Sequence, residues 1–171
     1  MRSCASAFAF STQNARPSKS WSGVVAAEIE RITRNQPELL AFVMADSQDL
    51  RADAQELAVF IFVIVLRMFE KHFGSKLRTV EIEDIERLRD GTEASLLALS
   101  EADEASMEQA ALSQATGQPF VMKYIAEAIF EPDPDDDVHL TEDEIGGMFM
   151  TLKTVVDALQ EASGSKATPS S

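Results

Sequence analysis

Leu57-Ala-Val-Phe-Ile-Phe-Val-Ile-Val-Leu66 is an unbroken apolar run of ten residues, and whether it is strand or helix decides the fold. Its valines, isoleucines and phenylalanines favour a strand. Its length is half of the about 20 residues that a membrane-spanning helix needs. The flanks, Ala52-Asp-Ala-Gln-Glu before it and Arg67-Met-Phe-Glu-Lys-His-Phe73 after it, are helical in character. A central strand also needs partners for its backbone N–H and C=O groups. The one other alternating stretch is Leu77–Ile82. The run is therefore read as the middle of a helix from about Arg51 to His72, buried on nearly all sides and central to its domain.

Working outward, the segment before this helix has a counterpart later in the chain. Gln36-Pro37 and Gln118-Pro119 each open a short apolar stretch, then an acidic break, a leucine (Leu50, Leu140) and a longer apolar helix. This order predicts a duplicated helical hairpin, Pro37–Ala45 with Arg51–His72 and Pro119–Phe130 with Thr141–Glu161. Pro37 suits the first position of a helix, where its missing N–H costs nothing. Gly74 is expected to end the central helix. Trp21–Arg34 reads as a first helix, with Val24, Val25, Ile29 and Ile32 near helical spacing. Thr79–Asp90 reads as a short helix closed by Gly91, and Thr92–Ala115 as a helical connection between the copies.

The last helix has the clearest period. Ile145, Met148, Phe149, Leu152, Val155, Val156 and Leu159 form one apolar stripe. Gly147, Thr151, Thr154 and Ala158 form a second face of small residues. Glycine costs about 1 kcal/mol relative to alanine inside a helix, so Gly146-Gly147 predicts a closely packed neighbour. Two packing faces place this helix at the centre of the domain or in a contact between copies. The expected fold is thus all-α, a single-domain helical bundle of about six or seven helices. It occupies residues 21–162, between an N-terminal extension over 1–20 and a Ser/Gly/Thr/Pro tail from Ser163, both read as disordered.

The 171 residues suit one domain with a core of useful size. The net charge of −14 is unevenly placed. Residues 1–89 hold 12 acids and 12 bases, whereas residues 90–171 hold 17 acids and 3 bases. An acidic half repels phosphate backbones, which argues against nucleic acid as a partner and for a solvated face, a basic partner or cations. The single cysteine, Cys4, excludes an intramolecular disulfide and a multi-cysteine zinc site. Residues 1–27 contain no acid, three bases and six serines, the composition of an organellar transit peptide. The main expectation is nonetheless a soluble, cytoplasmic protein with no membrane segment.

Asp133-Pro-Asp-Asp-Asp-Val-His-Leu-Thr-Glu-Asp-Glu144 lies between two predicted helices. It resembles the EF-hand calcium loop, in which oxygen ligands stand at loop positions 1, 3, 5, 7, 9 and 12. The resemblance implies Asp133, Asp135 and Asp137 as the first three ligands and the backbone carbonyl of His139 as the fourth. Thr141 takes the fifth position and Glu144 the bidentate last one. Leu140 fills the aliphatic slot. The glycine of position six is replaced by Val138, a β-branched residue for which the required positive φ is an outlier. Pro132 and Pro134 stiffen the entry, and Asp46–Leu50 is too short to be a paired loop. A second reading explains Thr141–Glu144 as a capping box, with Leu140 and Ile145 as its hydrophobic staple. The capping reading is preferred, and it leaves only the four aspartates unassigned.

No GxSxG, phosphate loop, GxGxxG or HExxH is present. His72 falls near a helix C-terminus, where a cation is favourable. Arg67, Lys71, Lys76 and Arg78 form a basic cluster that suits either a partner or the acidic half of the chain. Met122, Met148 and Met150 suit core packing or an adaptable groove. The sequence therefore predicts no catalytic residue and no cofactor. It points to a non-catalytic interaction or structural protein, an adaptor or a homo-oligomer such as a dimer joined through its long helices. The alternative is a calcium-responsive binder using residues 133–144.

Overall fold

The computed structural model describes residues 21–100, 118–130 and 139–164. Among these residues there are six α-helices and no strand. They are α1 (Trp21–Asn35), α2 (Pro37–Asp46), α3 (Ala52–Phe73), α4 (Ile82–Ser100), α5 (Pro119–Phe130) and α6 (Glu142–Ala162). The expectations for residues 1–20, for the later part of the Thr92–Ala115 connection and for the tail beyond Gly164 fall outside the described residues.

The apolar run is helical and lies within α3. Every residue of Leu57–Leu66 except Ile64 is buried. Phe62, Ile61 and Leu66 are fully enclosed. Helix α3 packs against α2, α5 and α6. Helix α6 packs against α2, α3, α4 and α5, and all six residues of Thr151–Val156 are buried. These two helices are the middle of the described structure. Burying one such phenylalanine or leucine side chain contributes roughly 1.5–3 kcal/mol.

Backbone chemistry sets the helix ends. Pro37 stands at the start of α2. Gly74 follows α3 with φ +54°, a left-handed geometry that a Cβ disfavours. A short 3-10 turn, Gly74–Lys76, then leads to an extended strap. Arg78 in this strap closes the far end of α6. Its backbone N–H donates to the Ala162 carbonyl at 3.1 Å, and its Nη2 donates to the Glu161 carbonyl at 3.3 Å. These carbonyls have no partner within the helix.

Two expectations are corrected. Helix α4 begins at Ile82 rather than Thr79 and runs through Gly91 to Ser100. Glycine ends a helix when it turns left-handed, and among the described glycines only Gly74 and Gly164 have positive φ. Beyond Gly91 the hydroxyls of Thr92 and Ser95 donate back to the carbonyls of Leu88 and Gly91, at 2.9 and 2.8 Å. The second correction concerns Gly146 and Gly147. A Cβ placed on either meets nothing within 4 Å, so no neighbour approaches there. The threonines of that face are buried all the same, Thr151 3% exposed and Thr154 fully enclosed, as is Ala158. Their hydroxyls donate to the carbonyls of Gly147 and Met150, each at 2.9 Å. From Thr151 onward this face of small residues is buried inside the monomer.

Candidate functional site

The acidic loop reaches the described structure at His139. Asp133, Asp135 and Asp137, three of the six candidate ligands, lie outside the described residues; His139, Thr141 and Glu144 are described. Thr141 has extended backbone and precedes the first turn of α6. Its Oγ1 accepts from the Glu144 N–H at 3.2 Å, and its own N–H donates to Glu144 Oε2 at 2.8 Å. The reciprocal bonds of a capping box are both present. Leu140 and Ile145 both pack against the core. Glu142, Asp143 and Glu144 place negative charge at the positive end of the helix dipole.

A residue that sequence reasoning missed completes this cluster. Arg51, just before α3, donates from Nε to Glu144 Oε1 at 2.8 Å and from Nη2 to Oε2 at 3.1 Å. The same Nη2 donates to the backbone carbonyl of His139. Planar guanidinium matches carboxylate in this two-point manner. The Arg51 bonds, followed by the N–H of Thr141, pull the Glu144 carboxyl down to about 2. Glu144 itself is 8% exposed. A bidentate metal ligand must offer both oxygens to the ion, and here both accept from donors of the protein. The His139 carbonyl is likewise engaged. A calcium ion using Glu144 and this carbonyl has to displace a guanidinium already seated between them. Among the described residues no group of three or more His, Cys, Asp or Glu side chains is placed to hold a metal.

Other polar groups are also tied within the fold. Asp46, at the end of α2, accepts from Arg89 on one oxygen and on the other shares the single Thr151 hydroxyl proton with the Gly147 carbonyl. The Arg89 guanidinium lies 5.7 Å from the Phe42 ring centre. Gln36 is 4% exposed. Its side-chain amide donates to the Arg78 carbonyl and accepts from the Val80 N–H, both at 2.9 Å. It thereby takes the place of a neighbouring strand for the strap. Within the basic cluster, Arg67 bonds Glu28 and Arg78 binds the end of α6. Burial opposes the Glu28 charge, but hydrogen bonds from Arg67 and Arg31 outweigh it and hold the carboxyl below its usual range. Lys153, 7% exposed, pairs with Asp157 one turn on. Met148 is core, 1% exposed.

Two shallow grooves lie among the described residues. One of about 300 Å³ is lined by Asn35, Gln36, Glu70, Gly74 and Thr79. The other, about 240 Å³, lies between α4 and α6 and is lined by Arg87, Gly91, Thr92, Lys153 and Asp157. Both sit at or below the lower end of ligand-site volumes, about 300 Å³. Charged groups on both are engaged in ion pairs: Glu70 with Arg31 on the first, and Arg87 with Asp84 and Glu161 and Lys153 with Asp157 on the second. The hydroxyls of Thr92 and Ser95 on the second groove donate to backbone carbonyls.

No described helix is long and apolar enough to cross a membrane. No protein-family model matches the chain, and no curated protein or solved structure does either.

Proposed function

We propose that this chain is a non-catalytic helical protein that works by association, with itself in the first instance. The observation that carries this reading is the outer face of α5. Phe120 is 87% exposed and Phe130 54% exposed. Large aromatic side chains left in water on one helix are characteristic of contact surfaces. The long helices α3 and α6 spend their apolar and small faces inside the monomer, so the contact belongs elsewhere on the surface. The charged groups described above are satisfied by each other rather than converged on an opening, which leaves acid–base or nucleophilic chemistry without support.

The same reading extends to the architecture. The chain is a helical bundle built from a duplicated hairpin, α2 with α3 and α5 with α6. Each unit opens at Gln-Pro, and the two longer helices, α3 and α6, pack on each other. A cytoplasmic location belongs to this proposal, and imaging of a fluorescent fusion tests it. Light scattering coupled to size exclusion tests self-association. The expected result is a mass that rises with concentration from 18.8 kDa toward twice that value. A constant monomer mass over the whole series removes the reading.

A further inference from the structure

Helix α5 turns Val121, Ile125 and Ile129 into the core. At 100° per residue the opposite side carries Phe120, Lys123, Glu127 and Phe130. All four are exposed, the side chains of Lys123 and Glu127 by 72% and 54%. The stripe has an internal symmetry. Phe120 and Phe130 stand five residues to either side of Ile125, and Lys123 and Glu127 stand two residues to either side of it. Aromatic matches aromatic, and base matches acid. Such a stripe is complementary to its own reverse, as a twofold contact requires.

We propose that α5 pairs antiparallel with α5 of a second copy, about a twofold axis at the level of Ile125. Phe120 then meets the partner's Phe130, and Lys123 meets the partner's Glu127, each contact occurring twice. The axial spacing fits, with the phenylalanines about 15 Å apart along the helix and the charges about 6 Å apart. Within one copy Lys123 and Glu127 already lie 3.5 Å apart, so four charges alternate in sign across the contact. The Phe130 ring rests 6.1 Å from that of Phe149, which fixes its position before contact and lowers the ordering cost of binding. The contact is small, in the weak class below about 1,200 Å², so the dimer forms at high protein concentration. Parallel pairing sets lysine beside lysine and is disfavoured. A basic partner gains nothing from Lys123 at the centre of the stripe.

This assignment rests on the self-association reading and names its surface. The test is a charge exchange read by light scattering, with far-UV circular dichroism as the folding control. Lys123→Glu alone and Glu127→Lys alone each place like charges opposite one another. Each is expected to weaken dimerisation about tenfold or more. An equimolar mixture restores both opposite-charge contacts and should recover the wild-type dimer. Phe120→Ser, at a side chain already 87% in water, leaves the fold intact and should also lower dimerisation. A wild-type dimer unchanged by these substitutions, or a mixture no better than its components, overturns the α5 assignment and leaves self-association standing. A monomeric wild type overturns both.

Discussion

The two longest helices, α3 and α6, begin by opposite means. Helix α6 is capped by its own sequence: Thr141 and Glu144 exchange hydrogen bonds three residues apart, and three acids occupy the first turn. Helix α3 has Arg51 in the capping position, with no side-chain cap bond and one acid in its first turn. Arg51 also lies 3.6 Å from Asp53 in the first turn of its own helix, but its shorter side-chain bonds go elsewhere. They cross to α6 and hold Glu144, so the weaker helix start reinforces the stronger one. The Gln-Pro pairs differ in the same way. Gln36 binds the backbone of the strap, whereas Gln118 donates to the Gln160 side chain at 2.5 Å. Similar sequence order therefore leads to different jobs when the neighbours differ.

The largest expected effect tests what α3 and α6 share, large side chains enclosed completely in the core. Phe62→Ala in α3 should cost about 3–5 kcal/mol and Leu152→Ala in α6 about 2–5 kcal/mol. Urea unfolding monitored by circular dichroism measures both. A loss below 1 kcal/mol at Phe62 would break the claim that α3 is central.

The glutamines come next. Gln36→Ala strands a buried N–H at Val80 and a carbonyl at Arg78. Leaving such a group unsatisfied costs about 1–3 kcal/mol. Gln118→Ala removes a side-chain pair at the surface of the core and should cost less, about 0.5–1.5 kcal/mol. Equal losses in the same unfolding assay would erase the distinction between the two openings.

How much of this was legible in the sequence follows from range. Pro37, Gly74 and the Thr141–Glu144 box act within a few residues, and local spacing is enough to find them. The helical state of Leu57–Leu66 was readable from its flanks. Gly91 misled because a glycine in sequence does not reveal whether its φ turns positive. Gly146 and Gly147 misled because a small side chain can mark an exposed backbone as easily as a close contact. Arg51 and Gln36 act across 93 and 42 residues of chain, and no period or motif connects such partners. One weak signal existed for Arg51, a lone base before α3 where the sequence before α6 is acidic.

Thr141→Ala should cost about 0.5–2 kcal/mol, the usual value of an N-cap. The acid limb of stability sharpens the same point. The folded Glu144 carboxyl is held near 2, below its unfolded value. Its contribution is therefore complete above the ordinary carboxylate range and disappears as pH falls toward 2. Glu144→Gln should flatten that part of the unfolding midpoint against pH. An unchanged slope would show that Glu144 is not held in this way.

The claim at the centre of the comparison is that the charge of Glu144 is answered inside the fold, by Arg51 and the helix cap, rather than by a metal ion. Titration calorimetry with calcium at physiological salt tests it most directly. The predicted result is no stoichiometric heat, only loose attraction to an acidic surface that salt screens. A single site with a dissociation constant below about 10 μM, in the range of calcium sensors, and lost on Glu144→Gln, would contradict it.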